Sequence, residues 1–497
     1  MSAEKAAKKG SGSYYIHMAI GLGVMILFFF LPNPEPITPL GMQVCGIFLM
    51  MVYTWSTLDT LWPSVLGLVM LGAIGADPAG FNSLWMNAIG YNVCILVLFA
   101  MVLFGGVDTY GCTNYIAKFF LTRKIFKHRP YVFMAIFFAA CGVLSATIGV
   151  FIALILMWSI ARSTLEALNI TREDRIWKFF FVGMFLVITL MQPFFPFKGA
   201  PLIPLSAYQT AMGDGTHVPY LVHMITDITM TILVMTVYLL GLKFLVKPDV
   251  SKLSKVDPAH IGELLPLPPM SLVQKIYLIM IPVYVVFLLV PEFISKGMNP
   301  FFDILKTLGA LGVTAAFVCV FLMVRIDGKP LLNFKEVAYK QFNWGIFFMI
   351  AAAVYAAGLL SKPTVGVASW LLKVLNPILG NQPEMVFVAL MLLTALIITN
   401  FANNAAMATV LVPVIIAFAN QNGYDPTPIV SGVVLMVFVA MLTPAASPHA
   451  GMMHGNKDIY TTKDIMSIGL PMCLITLVMY IFIGYPLIKV LLTVIPA

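Results

Sequence analysis

Charge is what this chain has least of. Only 10% of its 497 residues are Asp, Glu, Lys or Arg, whereas 60% are hydrophobic. Soluble globular folds are not built from such a composition, so a polytopic α-helical membrane protein is expected. Cysteine is scarce as well. Cys45, Cys94, Cys112, Cys141, Cys319 and Cys473 lie in or beside apolar runs without ligand-like spacing, which argues against a disulfide framework or a thiolate metal site. The apolar runs are continuous and do not alternate, which excludes an outer-membrane barrel. G-x-S-x-G, H-E-x-x-H and paired aspartates within an apolar run are all missing. A membrane-embedded enzyme is therefore disfavoured.

What is present is a series of apolar segments. The first, at about 14–31, follows Lys5, Lys8 and Lys9 and carries no small-x-small cleavage site after it. It reads as a retained helix with a cytoplasmic N-terminus. The formal charge of +8 is distributed by loop and marks the cytoplasmic side; it does not suggest a nucleic-acid surface. A first unit covers about 40–245, a polar and basic linker about 247–275, and a second unit about 276–492. All belong to one membrane domain with about 11 spans.

The stretch T-N-F-A-N-N-A-A-M-A, residues 399–408, organises the second unit. It lies inside an apolar run too long for one simple crossing of an ~30 Å hydrocarbon core. Thr399, Asn400, Asn403 and Asn404 need partners or water at that depth. A turn at 402–404 resolves this as a re-entrant hairpin, with Asn403 or Asn404 capping a helix from Ala405. Its tip offers backbone N–H groups to a ligand, and the polarity of Thr399 and Asn400 exceeds what a cap needs. In the first unit the run at about 131–161, with Ser145 and Thr147 near its middle, is flanked by basic residues at both ends and reads as the inward counterpart. Each hairpin precedes a Pro-broken span, at 193–204 and 443–451. The arrangement is an inverted-topology repeat, with a ligand site expected where tips and breaks meet near the midplane.

The order of hairpin, broken span and final helix, with N-F-A-N-N-A-A-M-A-T-V-L-V-P-V and T-P-A-A-S-P-H-A-G, resembles the divalent anion:sodium symporter family. That family sits in a wider ion-transporter superfamily. The resemblance implies an all-α elevator-type carrier of di- or tricarboxylates, homodimeric, in the cell membrane, with the C-terminus outside and sodium as the coupling ion. Family tips carry Ser-Asn-Thr, which bind substrate and sodium. Here those positions are Ser145-Ala146-Thr147 and Asn403-Asn404-Ala405. The Pro-Pro-Asn loops of the family correspond to Gly199-Ala200-Pro201 and Ser447-Pro448-His449, with Thr443 opening the second break. If sodium is used, Ser145, Gly199, Asn403 and Ala446 are the positions implied.

Lys198 departs most from that pattern. A lysine at mid-membrane costs about 2.5–3.5 kcal/mol unless paired or hydrated. Its ammonium can take a cation's place and favour anion exchange or proton coupling; alternatively it snorkels to an interface. His449 is either a binding or proton-coupling residue, or a hydrogen-bonded histidine in a cavity wall. His449 and His454 are badly spaced for a metal. Ser145 and Thr147, taken alone, read as residues bonding a backbone carbonyl. Asp108 and Asp227 read as interfacial residues near span ends. An inorganic-ion carrier, such as an arsenite extruder or cation/proton antiporter, is the competing transport class. An antiporter calls for a buried carboxylate at a tip or break, where none is found.

Overall fold

The computed structural model describes residues 3–495 except 214–215, 258–266, 295–296, 361, 402–403 and 445. Almost everything described is helix. Helix α1 (Ala3–Phe30) precedes the first unit, which comprises α2 (Pro39–Thr57), α3 (Leu61–Ala73), α4 (Phe81–Gly90), α5 (Asn92–Thr109), α6 (Cys112–Leu121), α7 (Pro130–Ile148), α8 (Val150–Ala167), α9 (Arg175–Leu190), α10 (Leu202–Met212) and α11 (Tyr220–Gly241). The second comprises α12 (Leu272–Phe293), α13 (Pro300–Met323), α14 (Phe334–Gln341), α15 (Trp344–Leu360), α16 (Val367–Leu379), α17 (Glu384–Thr399), α18 (Asn404–Asn422), α19 (Pro426–Met436), α20 (Pro448–Gly455), α21 (Thr462–Met479) and α22 (Tyr485–Val494). A π-helical turn, Tyr480–Gly484, joins the last two.

Local sequence accounts for many of the starts and breaks. Proline opens α2, α7, α13, α19 and α20, where its missing N–H is one the first turn leaves unpaired anyway. Ser271 with Gln274, and Thr461 with Asp464, form capping boxes at α12 and α21. Among the described residues nine helices are long and apolar enough to cross a membrane, or up to twelve if each bent pair counts as one span. That range contains the expected number.

The two units correspond element by element. The pair α4–α5 is bent by 42° and its counterpart α14–α15 by 75°. Their packing is exchanged: α2 and α3 of the first unit lie against α15 of the second, while α12 and α13 lie against α5. Polar ties run along the same seams. Gln341 Nε2 donates to Asp108 Oδ2 at 2.7 Å and Tyr355 Oη to Asp77 Oδ2 at 3.1 Å. Asp108 lies in the last turn of α5.

The linker is clipped to the loop before α9. Lys252 Nζ donates to Asn169 O at 2.8 Å and to Asp174 Oδ1 at 3.0 Å, and the Thr171 N–H donates to Asp174 Oδ2 at 2.8 Å. The Thr171 amide first, and then Lys252, holds the Asp174 carboxyl below its ordinary value. A carboxyl depressed on folding contributes stability that is complete above its unfolded pKa and lost as pH falls through the folded one. The clip is therefore intact at neutral pH and fades below about pH 4. Amide exchange across residues 249–256, corrected for intrinsic rate, should be several-fold faster in Asp174→Asn at neutral pH. Wild type should converge on the variant in acid. Equal exchange in both proteins at neutral pH would exclude the clip.

Candidate functional site

Each hairpin is tied to the broken span of its own half. In the first half α7 ends because Gly149 takes φ +106°, a conformation that suits glycine and lets α8 begin at the next residue. The Ser145 hydroxyl donates to Ile188 O in the last turn of α9 at 2.6 Å, and the Thr147 hydroxyl bonds back to Val143 O at 2.7 Å. Beyond α9, Pro193 and Pro196 supply no N–H to continue the helix, and Gly199 turns the chain at φ +71° toward α10. Pro201 occupies the N-cap position of α10.

Lys198 folds back from this break onto the hairpin tip. Its Nζ donates to Thr147 O, lies 3.5 Å from Ala146 O, and sits 4.8 Å from the centre of the Phe104 ring. These carbonyls belong to the last turn of α7, where they have no intrahelical donor and carry the negative end of the helix dipole. The ammonium thus takes carbonyl oxygens and an aromatic face, the surroundings expected for an alkali cation or a lysine replacing one. It does not snorkel away from the site.

The second half makes the same junction with a neutral amide. Asn400 follows α17, and its Nδ2 donates to Leu396 O at 2.8 Å and Val439 O at 3.4 Å. Its Oδ1 accepts from the N–H groups of Met441 (3.1 Å) and Leu442 (2.9 Å) in the unwound stretch after α19. Thr399 Oγ1 donates to Val437 O at 2.5 Å and also lies 3.2 Å from Asn404 Oδ1. The Thr443 hydroxyl donates to Asn400 O. The polarity of Thr399 and Asn400, which suggested ligand contact, is spent on the break instead.

The remaining expected positions fall as follows. Asn404 begins α18, one residue earlier than expected, and Ala405 is buried in its first turn. Asn403 lies outside the described residues. Ala446 is buried, Ser447 caps α20 by accepting from Ala450 N at 3.1 Å, and Pro448 is its first residue. His449 is one of the points where the halves meet. Its ring centre lies 6.2 Å from that of Phe151 on α8 and 5.8 Å from that of Phe185 on α9, and its buried Nε2 has no hydrogen-bond partner. Among the described residues no group of His, Cys, Asp and Glu could hold a metal ion. In the first half the Ser145 hydroxyl is bonded to Ile188 O, and the Ala146 and Thr147 carbonyls face Lys198 Nζ.

A cavity of about 680 Å³ approaches the first break. It lies between α5, α10, α12 and α13, and Asn92, Pro196, Ser206, Gln209 and Lys306 are in its wall.

One residue was misplaced by sequence reasoning. Asp227 is not interfacial: it is 1% exposed, in the third turn of α11, and neither carboxylate oxygen has a partner. Its position seven residues from the start of the span suggested an end. The missed signal is the stripe His223, Thr226, Asp227 and Thr231, whose spacing puts all four on one helix face.

Comparison with known proteins adds the following. The family model for the sodium:sulfate symporter transmembrane region matches residues 13–494. The uncharacterised transporter YfbS of Escherichia coli (strain K12) is 29% identical over 163 residues, 33% of this chain and 26% of that protein. The sodium-dependent dicarboxylate transporter SdcS of Staphylococcus saprophyticus is 24% identical over 178 residues, 35% of this chain and 33% of that protein. The matched parts thus span about a quarter to a third of the length of these relatives. The crystal structure of the Alcanivorax borkumensis YdaH transporter superposes with a TM-score of 0.55 at 15% identity, covering 91% of this chain and 98% of that one, and shares the fold.

Asn400→Ala leaves two buried amides and two carbonyls short of a partner, at about 1–3 kcal/mol for each group left bare. The melting midpoint in detergent should fall by several degrees, while Ser145→Ala, which frees a single carbonyl, should lower it less. A midpoint unchanged in Asn400→Ala would contradict the assigned network.

Proposed function

The chain belongs to the sodium:sulfate symporter transmembrane family, and from this we infer that it is a secondary carrier of small organic anions, di- or tricarboxylates, working without obligatory sodium. One observation carries the second part: the Lys198 ammonium occupies the carbonyl oxygens at the first hairpin tip. A fixed cation there draws an anion to the tip and needs no co-transported ion for neutrality. Transport is then balanced by a counter-anion or by protons.

The mechanism follows from what each residue holds. An anion enters through the cavity between α5, α10, α12 and α13, which reaches Pro196, two residues before Lys198. Lys198 supplies charge, and the N–H groups of the unwound segments and the start of α18 supply donors. Because each tip is hydrogen-bonded to its own break, hairpin and broken span move as one body. The exchanged packing of α2, α3, α5, α12, α13 and α15 supplies the scaffold against which it slides, elevator fashion. We assign the scaffold as the homodimer contact and the N-terminus to the cytoplasm. SdcS is named as a dicarboxylate transporter, which supports the substrate class. The family description names sulfate, which keeps inorganic divalent anions as the second reading.

Uptake of labelled succinate into proteoliposomes tests this. It should proceed without sodium, rise when an anion is preloaded or the outside is acidified, and fall at least tenfold in Lys198→Ala, assayed well below that variant's own melting midpoint. Strict sodium dependence, with Lys198→Ala active, would sink the role given to Lys198. Sulfate uptake without succinate uptake would move the assignment to the second reading.

A further inference from the structure

The strongest unassigned feature is the polar stripe of α11. His223, Thr226, Asp227 and Thr231 are each at most 5% exposed, and the Nδ1 of His223, both oxygens of Asp227 and both threonine hydroxyls have no hydrogen-bond partner. Helix α11 closes the first unit, and it packs against α21, the π-helical turn and α22, which close the second, as well as against α7 and α9. The stripe therefore lies on a helix at which the two halves join.

Two chemical facts bear on what it does. A carboxylate with both oxygens bare has neither solvation nor a donor, so burial favours the neutral acid. His223 Nε2 lies 2.8 Å from Pro193 O, which can only accept, so Nε2 carries the hydrogen and Nδ1 of the neutral ring keeps its lone pair. His223 and Asp227 are four residues apart and face the same way. Pro193 is the first residue of the break that bears Lys198.

We propose that Asp227, with His223 one turn before it, is a proton-binding site between the two halves, linked to the first broken span through the His223–Pro193 hydrogen bond. A proton from water bonds to a carboxylate oxygen of Asp227 and gives the neutral acid; release breaks that O–H bond and returns the proton to water. His223 Nδ1 is the second acceptor. A change of charge on the imidazole alters the strength of its bond to Pro193 O and so the geometry of the break. The proposal rests on the transport reading above and names its coupling ion.

Among the described residues the surroundings offer no counter-charge that would hold the carboxylate ionised. Tyr480 of the π-helical turn, itself buried, is the neighbour close enough to interact electrostatically with Asp227. On α21 and α9, Asp464 and Lys178 pair with each other at 3.5 Å, and Lys489 of α22 pairs with Glu384 at 2.8 Å. Lys463 on α21 and Arg175 on α9 stand in the first turns of their helices, and Lys243 lies beyond the far end of α11. Tyr238 is bonded to Phe179 O at 2.5 Å, and Tyr485 to Glu384 Oε1 at 2.5 Å. Cys141 on α7, Cys473 on α21 and Tyr131 at the start of α7 are neutral when protonated.

The full chain, reconstituted with the membrane potential clamped, is given labelled succinate under imposed pH gradients. Accumulation by wild type should rise about tenfold per pH unit, acid outside, if one proton is carried. In Asp227→Asn it should be the same at every gradient, and Asp227→Glu should restore the response. An undiminished response in Asp227→Asn overturns the proposal. Infrared difference spectra of the detergent-solubilised protein give a readout that needs no substrate. A protonated-carboxyl band at neutral pH should vanish in Asp227→Asn and shift in Asp227→Glu. Absence of that band in wild type overturns the proton site even where succinate is carried. The band present with no succinate uptake supports the site and overturns the transport reading alone.

Discussion

Hydrocarbon offers no partner to a peptide N–H or C=O, and each group left bare there costs several kcal/mol. Helices α9 and α19 nevertheless stop inside apolar stretches of the chain, after Leu190 and after Met436. Most of what surrounds them is the answer to that difficulty. The hairpins arrive at the breaks with side chains cut to the exposed backbone: Ser145 to a carbonyl, Thr399 to a carbonyl, Asn400 to two amides and a carbonyl. A hairpin without a break beside it would carry these polar groups at a loss. A break without a hairpin would leave its backbone bare.

The two halves meet the same constraint with different chemistry. The second uses a neutral amide, which can both donate and accept and so closes the junction without net charge. The first uses Lys198, which only donates and therefore serves carbonyls alone. That difference makes the two tips unequal in electrostatics although the helices around them correspond. Lys198, held against carbonyl oxygens, sets the first tip apart from the second, whose junction is closed by the neutral Asn400.

The layout was legible because polar residues inside long apolar runs are expensive, and the sequence places them at only a few points. Thr399 to Asn404 announced the second hairpin, the basic residues flanking the run at about 131–161 the first, and the two proline-rich interruptions both breaks. The partners of those residues were not legible. Whether an asparagine at depth faces a ligand or a neighbouring carbonyl depends on where another segment, about forty residues on, has unwound. Asn400 looked like a ligand residue for that reason. Asp227 failed for another: distance from a span end fixes depth only when the helix has a lipid or water face there. The last helices of both units close over Asp227, and tertiary packing of that kind leaves only a weak periodic trace in the sequence.

That burial also constrains how a proton held at Asp227 takes part in transport. Helix α11 packs on α7 and α9, which carry the first hairpin and broken span, and on α21 and α22 of the second half. These are the elements bound to one another through the tip-to-break hydrogen bonds and through Trp158, Trp177 and Tyr460, whose side chains join α8 and α9 to the segment before α21. Asp227 is thus packed among the elements that the proposed mechanism moves together, and in that mechanism a proton bound there would travel with them. Carrying one with each anion also removes a unit of charge from the load, which lessens the cost of moving a dianion through the bilayer. The same packing that hid Asp227 from a reading by position suits it to carry a proton between the two faces.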